Sequence, residues 1–185
     1  MSNETKLGLG RSTGMFYHAA AGTALPTSPA DTLPQAWTLV GDVTEDGITL
    51  TTDKSTENLR NWALVIKRVI MTEHTETVQC PIMDTTEEVL KTCLGADNVT
   101  VTAANASHGK LVNANLSPNA LPPEEAYLWI MKDGDDLMAI GCSRGQITSM
   151  ENIAFQPAAA INWTPTITAE GDGFQLIMDD GQTTT

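Results

Sequence analysis

The chain has 185 residues, is 41% hydrophobic, and carries 10 Lys plus Arg against 23 Asp plus Glu, a formal net charge of −13. That length and apolar content suit one domain with a real core and exclude a disordered chain. So acidic a surface repels phosphate backbones, which argues against sequence-specific DNA or RNA binding but not against a protein that nucleic acid merely passes.

Residues 1–36 read as an extended N-terminal arm. They are rich in Gly, Ala, Ser, Thr and Pro, and Pro26, Pro29 and Pro34 interrupt any helix. The N-terminus has no apolar h-region, so no secretory signal is expected. Trp37 to Val43 is a short strand candidate. Asp46-Gly47 then makes a turn, and Ile48-Thr49-Leu50 alternates apolar and polar. Thr51 to Asn61 turns polar, with both signs of charge and no glycine or proline. It reads as a long charged loop that is not built like a flexible linker.

Trp62 to Cys80 is rich in β-branched residues. Its first half is apolar on both faces, which suits a strand covered on both sides. The one helix expected spans about residues 84–94. Asp84 or Thr85 caps it, Thr85 and Glu88 make a capping box, and Gly95 stops it. Val89, Leu90, Cys93 and Leu94 form its apolar stripe. "NVTVTA" follows as a short strand, then a polar Asn-rich loop to Pro123. "AYLWIM-KDGDD-LMAIGC" reads as a hairpin around an acidic turn. "INWTPTITA" alternates, with Pro165 arguing for an edge or a bulge. "GFQLIMDDG" closes the set, with Phe174, Leu176 and Met178 on one face. The sum is a mainly β fold, a β-sandwich or partial barrel with one flanking helix, a long N-terminal arm and a long loop. The boundaries expected are an arm over 1–36, a single β-sandwich domain over 37–181 and a short tail over 182–185.

A search for chemistry finds none. His18, His74 and His108 stand in unrelated contexts without a second ligand at metal-binding spacing. Asp133-Gly134-Asp135-Asp136 and Asp179-Asp180-Gly181 lack the calcium-loop pattern and read as turns. "GLGRSTG" has no preceding strand or following helix, so it is a poor phosphate loop. Neither a catalytic triad nor a paired-acid site is marked. No catalytic residue, metal or cofactor is expected. Cys80, Cys93 and Cys142 are odd in number and widely spaced, which fits free thiols in a reducing cytosol. No apolar run approaches the roughly 20 residues of a membrane span. Trp37, Trp62, Trp129 and Trp163 each lie in a strand pattern and are expected in the core.

The order of features in "GTALPTSPADTLPQAWTLVGDVTEDGITLTTDKSTENLRNW" resembles the N-terminal signature of the major tail tube proteins of long, non-contractile-tailed bacteriophages. That signature is a small-residue arm, a Trp, a Gly before an "EDG" turn, a strand, and a charged loop ending in Asn-Trp. The "TTEEVLKTCLG" helix, "YLWIMKDGDDLMAIGCSRGQI" and "INWTPTITAEGDGFQLIMDD" agree with it, and the resemblance covers about residues 15–180. Two departures stand out. "NLRNWALV" replaces the Gln and Gly that often follow the Trp, and no room is left for the immunoglobulin-like domain some relatives carry.

The resemblance implies a non-enzymatic virion protein made in the host bacterial cytoplasm. Its subunits would join sheets edge to edge into hexameric rings that stack into a tube. Its partners would be itself, a tape measure protein and tail-end proteins, with DNA passing through unbound and no membrane. The charged loop would then reach a neighbouring subunit or ring through Asp53, Lys54, Glu57 and Arg60, with Trp62 anchoring its return to the core. The rival readings are a monomeric carbohydrate-binding β-sandwich with exposed tryptophans, a small glycoside hydrolase with paired acids, and the tube protein of a contractile tail.

Overall fold

The computed structural model describes residues 5–10 and 15–181. The short tail expected over 182–185 and the end of "GLGRSTG" lie outside them. The strands are β1 (Leu9–Gly10), β2 (Phe16–Ala20), β3 (Thr38–Gly41), β4 (Thr49–Arg60), β5 (Ile66–Gln79), β6 (Val99–Thr102), β7 (Leu111–Ala114), β8 (Glu125–Asp133), β9 (Asp136–Met150), β10 (Pro165–Ala169) and β11 (Gln175–Asp179). The helix α1 is Glu87–Leu94, followed by a 3-10 turn at Ala96–Asn98. The fold is mainly β and sandwich-like, as expected, with this one α-helix among the described residues.

One antiparallel sheet runs in the order β3-β2-β8-β9-β10-β5-β4. β1 adds to β8 beyond β2, and β11 adds to β9 beyond β10. The strip β6-β7 is separate. At the centre, β8 and β9 are joined by the tight turn the sequence announces, with Asp133 opposite Asp136 and Gly134 at φ 61. Glycine takes that left-handed conformation without a Cβ clash.

Side chains along β8 alternate between two buried faces. Tyr127 and Trp129 enter one core, and Ala126, Leu128 and Ile130 enter another on the opposite face. The first core is capped by α1, through Val89, Cys93 and Leu94. Trp129 lies flat on Phe16 with ring centroids 5.0 Å apart, and its Nε1 donates to Cys80 Sγ at 3.2 Å. The chain between β2 and β3 covers the second core with Leu25, Leu33 and Trp37. Each such large side chain, fully buried, contributes about 1.5–3 kcal/mol.

Two single-residue bridges, Val43 to Ile82 and Ile82 to Trp163, tie the chain after β3 to the chain before β10. The sheet therefore curls around its first core without closing into a barrel. Pro165 is buried at the start of β10, where its carbonyl accepts from Cys80 N at 3.1 Å. β10 is internal rather than an edge, and the bulge expected near Pro165 lies between Thr166 and Ile167.

Several expectations need correction. The stretch expected as an arm contributes β2, which pairs fully with β8. Phe16 and Ala19 are buried on opposite faces, as a strand inside a two-sided sheet requires, and His18 is held there by Glu125. The Asn-rich loop contains β7, which pairs residue for residue with β6. Thr86, not Asp84 or Thr85, is the helix cap, its hydroxyl accepting from Val89 N at 3.3 Å. Gly95 ends the helix at φ 87 and ψ 138, outside the left-handed helical region. Leu176 and Met178 share the first-core face with their partners Ile140 and Met138, but both are exposed there.

Candidate functional site

β4 and β5 form the outermost hairpin of the sheet. β10 pairs with β5 only at Thr77, Val78 and Gln79. Beyond that point the two strands continue alone for about 35 Å, at ~3.3 Å per residue. Every residue from Thr49 to His74 is exposed. The stretch expected as a charged loop, Thr51–Asn61, is thus almost entirely strand. Threonines at 49, 51, 52 and 56 favour the extended backbone, and β5 supplies a β-branched partner strand for them.

The base of the hairpin is clamped. Glu76 accepts from Phe174 N at 2.8 Å and sits 3.2 Å from His74 Nε2. Midway, Thr72 forms a bulge, so that Ser55 opposes Glu73 and Thr56 opposes Met71. Below the bulge the hairpin is polar. Above it, the register sets Ile66, Val69 and Met71 on one face, with Leu59 and Ile70 on the other. All five are exposed.

The tip is an ordered turn. Asn61 Oδ1 accepts from Val65 N at 3.0 Å, and Arg60 Nη1 donates to Leu64 O at 3.0 Å. Leu64 is held at φ 61, the one non-glycine residue with positive φ among the described residues. A leucine there costs about 1–2 kcal/mol relative to ordinary backbone. The turn holds Trp62 at 102% and Leu64 at 73% relative exposure. Trp62 therefore does not anchor the hairpin to the core. It stands at the far end, because the chain reverses there. Trp37, Trp129 and Trp163 are buried as expected, so no platform of exposed tryptophans exists among the described residues.

The remaining sequence-named residues lie along β4. Asp53 pairs with Thr75, Lys54 with His74, Glu57 with Ile70 and Arg60 with Ile66. The two-residue period places Lys54 and Arg60 on one face and Asp53 and Glu57 on the other. They do not form one cluster; they give each face of β4 its own sign. Sequence reasoning missed the apolar partners on β5 as surface residues, although it read that strand as apolar on both faces.

Elsewhere the chemistry is sparse. No group of three His, Cys, Asp or Glu among the described residues is placed to hold a metal. His18 Nδ1 meets Glu125 at 2.9 Å, and His108 is held within its own turn by Asn105. Cys80, Cys93 and Cys142 are free and buried in one core. Burial pushes the Cys80 and Cys142 thiols up to about 12. It raises Cys93 further, so none is an activated nucleophile. No described helix is long and apolar enough to cross a membrane.

What the hairpin offers is an exposed apolar and charged surface. The model of the family described as phage tail tube protein matches residues 1–183. The chain belongs to the phage tail tube protein family. Among curated proteins no match is found. As a tail tube family member it is a structural subunit of the virion tail that self-assembles into a tube.

Proposed function

We propose that the protein is a non-enzymatic tube subunit, without a cofactor, whose copies close into hexameric rings. The rings stack into a channel through which DNA leaves the virion, and assembly takes place in the host bacterial cytoplasm. The subunit's partners besides itself are a tape measure protein and tail-end proteins.

One observation carries the reading: the distal half of the β4–β5 hairpin is apolar on both faces, and no described residue covers either. A lone exposed hairpin of this length gains no burial to offset its ordering entropy. Partner copies supply that burial. Asp53, Lys54, Glu57, Arg60 and Trp62 would then lie in the subunit interface, the charges fixing register and the indole supplying contact area. Free edges support it too, since among the described residues β3 and β4 end the sheet and β11 has β9 as its one neighbour. Such edges are a hazard in a monomer and a joining surface in a closed assembly.

Negative-stain electron microscopy of the purified protein, with light scattering for mass, tests this reading. Rings or hollow tubes are expected. A protein that stays monomeric at high concentration, with and without tail-tip complexes to initiate growth, overturns it.

A further inference from the structure

The distal hairpin has a chemical counterpart elsewhere on the molecule. Past the Thr72 bulge, Arg60, Lys67 and Arg68 outweigh the single acid Glu57, on a chain whose formal charge is −13. This half is therefore basic, apolar and tipped by a fully exposed indole. The opposite combination occurs where β8 turns into β9 and β11 ends. Asp133, Asp135, Asp136, Asp179 and Asp180 stand there against Lys6 and Lys132. A groove of about 390 Å³ opens among them, with Leu137 and Met178 as its apolar part and Asp136, Asp179, Asp180 and Lys6 around it. Leu176 and Met178 on the first-core face, and Leu9 on the opposite face, are all more than half exposed.

We propose that the hairpin tip of one copy seats on this acidic groove of a second copy. Trp62 meets the apolar part, and Arg60, Lys67 and Arg68 face the aspartates. This docking rests on the assembly reading above and names its two surfaces. Charge complementarity selects the groove, because an apolar patch alone would accept any apolar partner. Like charge disfavours tip against tip and groove against groove. A tip-to-groove contact joins two different patches, so each added copy uses one patch and leaves the other free for the next copy. That is the kind of interface that propagates into rings and filaments. Methionine at the receiving side suits an adaptable contact with a large aromatic side chain.

Crosslinking between two single-cysteine variants tests the docking. Ala63→Cys marks the tip and Asp135→Cys marks the groove; both positions are exposed, while the three native thiols are buried. The two variants are mixed, assembled and treated with a short bismaleimide. A dimer band on a denaturing gel is expected from the mixture and not from either variant alone. Reversing charge in the tip variant with Arg60→Glu, Lys67→Glu and Arg68→Glu should cut that band at least tenfold. The fold should be unaffected, checked by melting, since these side chains touch no core. Tubes without the mixed dimer, or a dimer from Ala63→Cys alone, overturn the docking and leave the assembly reading standing. Absence of both tubes and dimer overturns the two together.

Discussion

Asp84, Thr85 and Thr86 all qualify by type as helix caps, and only Thr86 takes the position. Asp84 instead accepts from Asp42 N at 2.7 Å, and Thr85 accepts from Trp163 Nε1 at 3.0 Å. Each neighbour is committed to a distant strand connection, which leaves the cap to the third. Thr86→Ala should therefore cost about 1 kcal/mol, read as a lower melting temperature. A sharper case is Gly141 on β9. A Cβ there would lie 2.7 Å from Tyr127 O and 2.8 Å from Leu25 Cδ2. Backbone on one side and the chain covering the second core on the other leave nowhere to move. Gly141→Ala should destabilise by about 1–3 kcal/mol in denaturant melts, the cost of overpacking. Glu87 offers a pH test. Hydrogen bonds from Lys110 and Lys91 lower its pKa from 4.5 to about 2. A carboxylate depressed on folding adds stability that is full above its unfolded pKa and is lost as pH falls through the folded one. Glu87→Gln should thus flatten the fall in melting temperature between pH 4.5 and 2, and leave its slope near neutrality unchanged.

At the scale of elements, what was legible followed from how completely each signal is local. The β8–β9 hairpin was readable because two apolar runs and the acidic Gly-containing turn between them all sit within one short stretch. α1 was readable from its stripe and its terminal glycine. β2 was hidden because its neighbours in sequence are turn residues, and its partner β8 lies more than a hundred residues away. β7 was hidden because its apolar Leu111 and Val112 form only a short run within a polar, Asn-rich stretch. The β4–β5 hairpin was half legible. Periodicity reported that β5 is apolar on both faces, but periodicity cannot say which chain does the covering. The sequence reading therefore pulled Trp62 inward. The hairpin's isolation makes it removable. Ser55 and Glu73 pair directly, so Asn-Gly in place of residues 56–72 joins them by a two-residue turn. That variant should melt as the parent does, within about 0.5 kcal/mol, as surface changes do. It should form no tubes by electron microscopy. Glu57→Ala with Arg60→Ala is the milder form, expected to slow tube growth while the monomer stays folded. Normal polymerisation of either variant would remove the hairpin from the assembly.

Over the whole molecule, charge is divided unevenly between hairpin and body. Within the hairpin Lys54, Arg60, Lys67 and Arg68 offset Asp53, Glu57, Glu73 and Glu76, so the body carries the whole formal charge of −13. In the proposed channel, a tube built from such bodies would present acidic walls to a polyanion. Phosphate binding gains its affinity from counterion release at basic side chains, and weakens steeply where those are absent. The basic tip is the part of the monomer with the means to hold a phosphate backbone, and the docking proposed above would bury it. Assembled tubes should therefore retain no duplex DNA in a gel-shift measurement even at about 50 mM salt, where electrostatic binding is strong. The free monomer is the control, since any retention it shows should be salt-sensitive and should vanish when residues 56–72 are replaced. Retention by tubes that survives that replacement would place a phosphate-binding surface on the body, and the acidic charge could no longer explain how DNA would pass through the proposed channel without sticking.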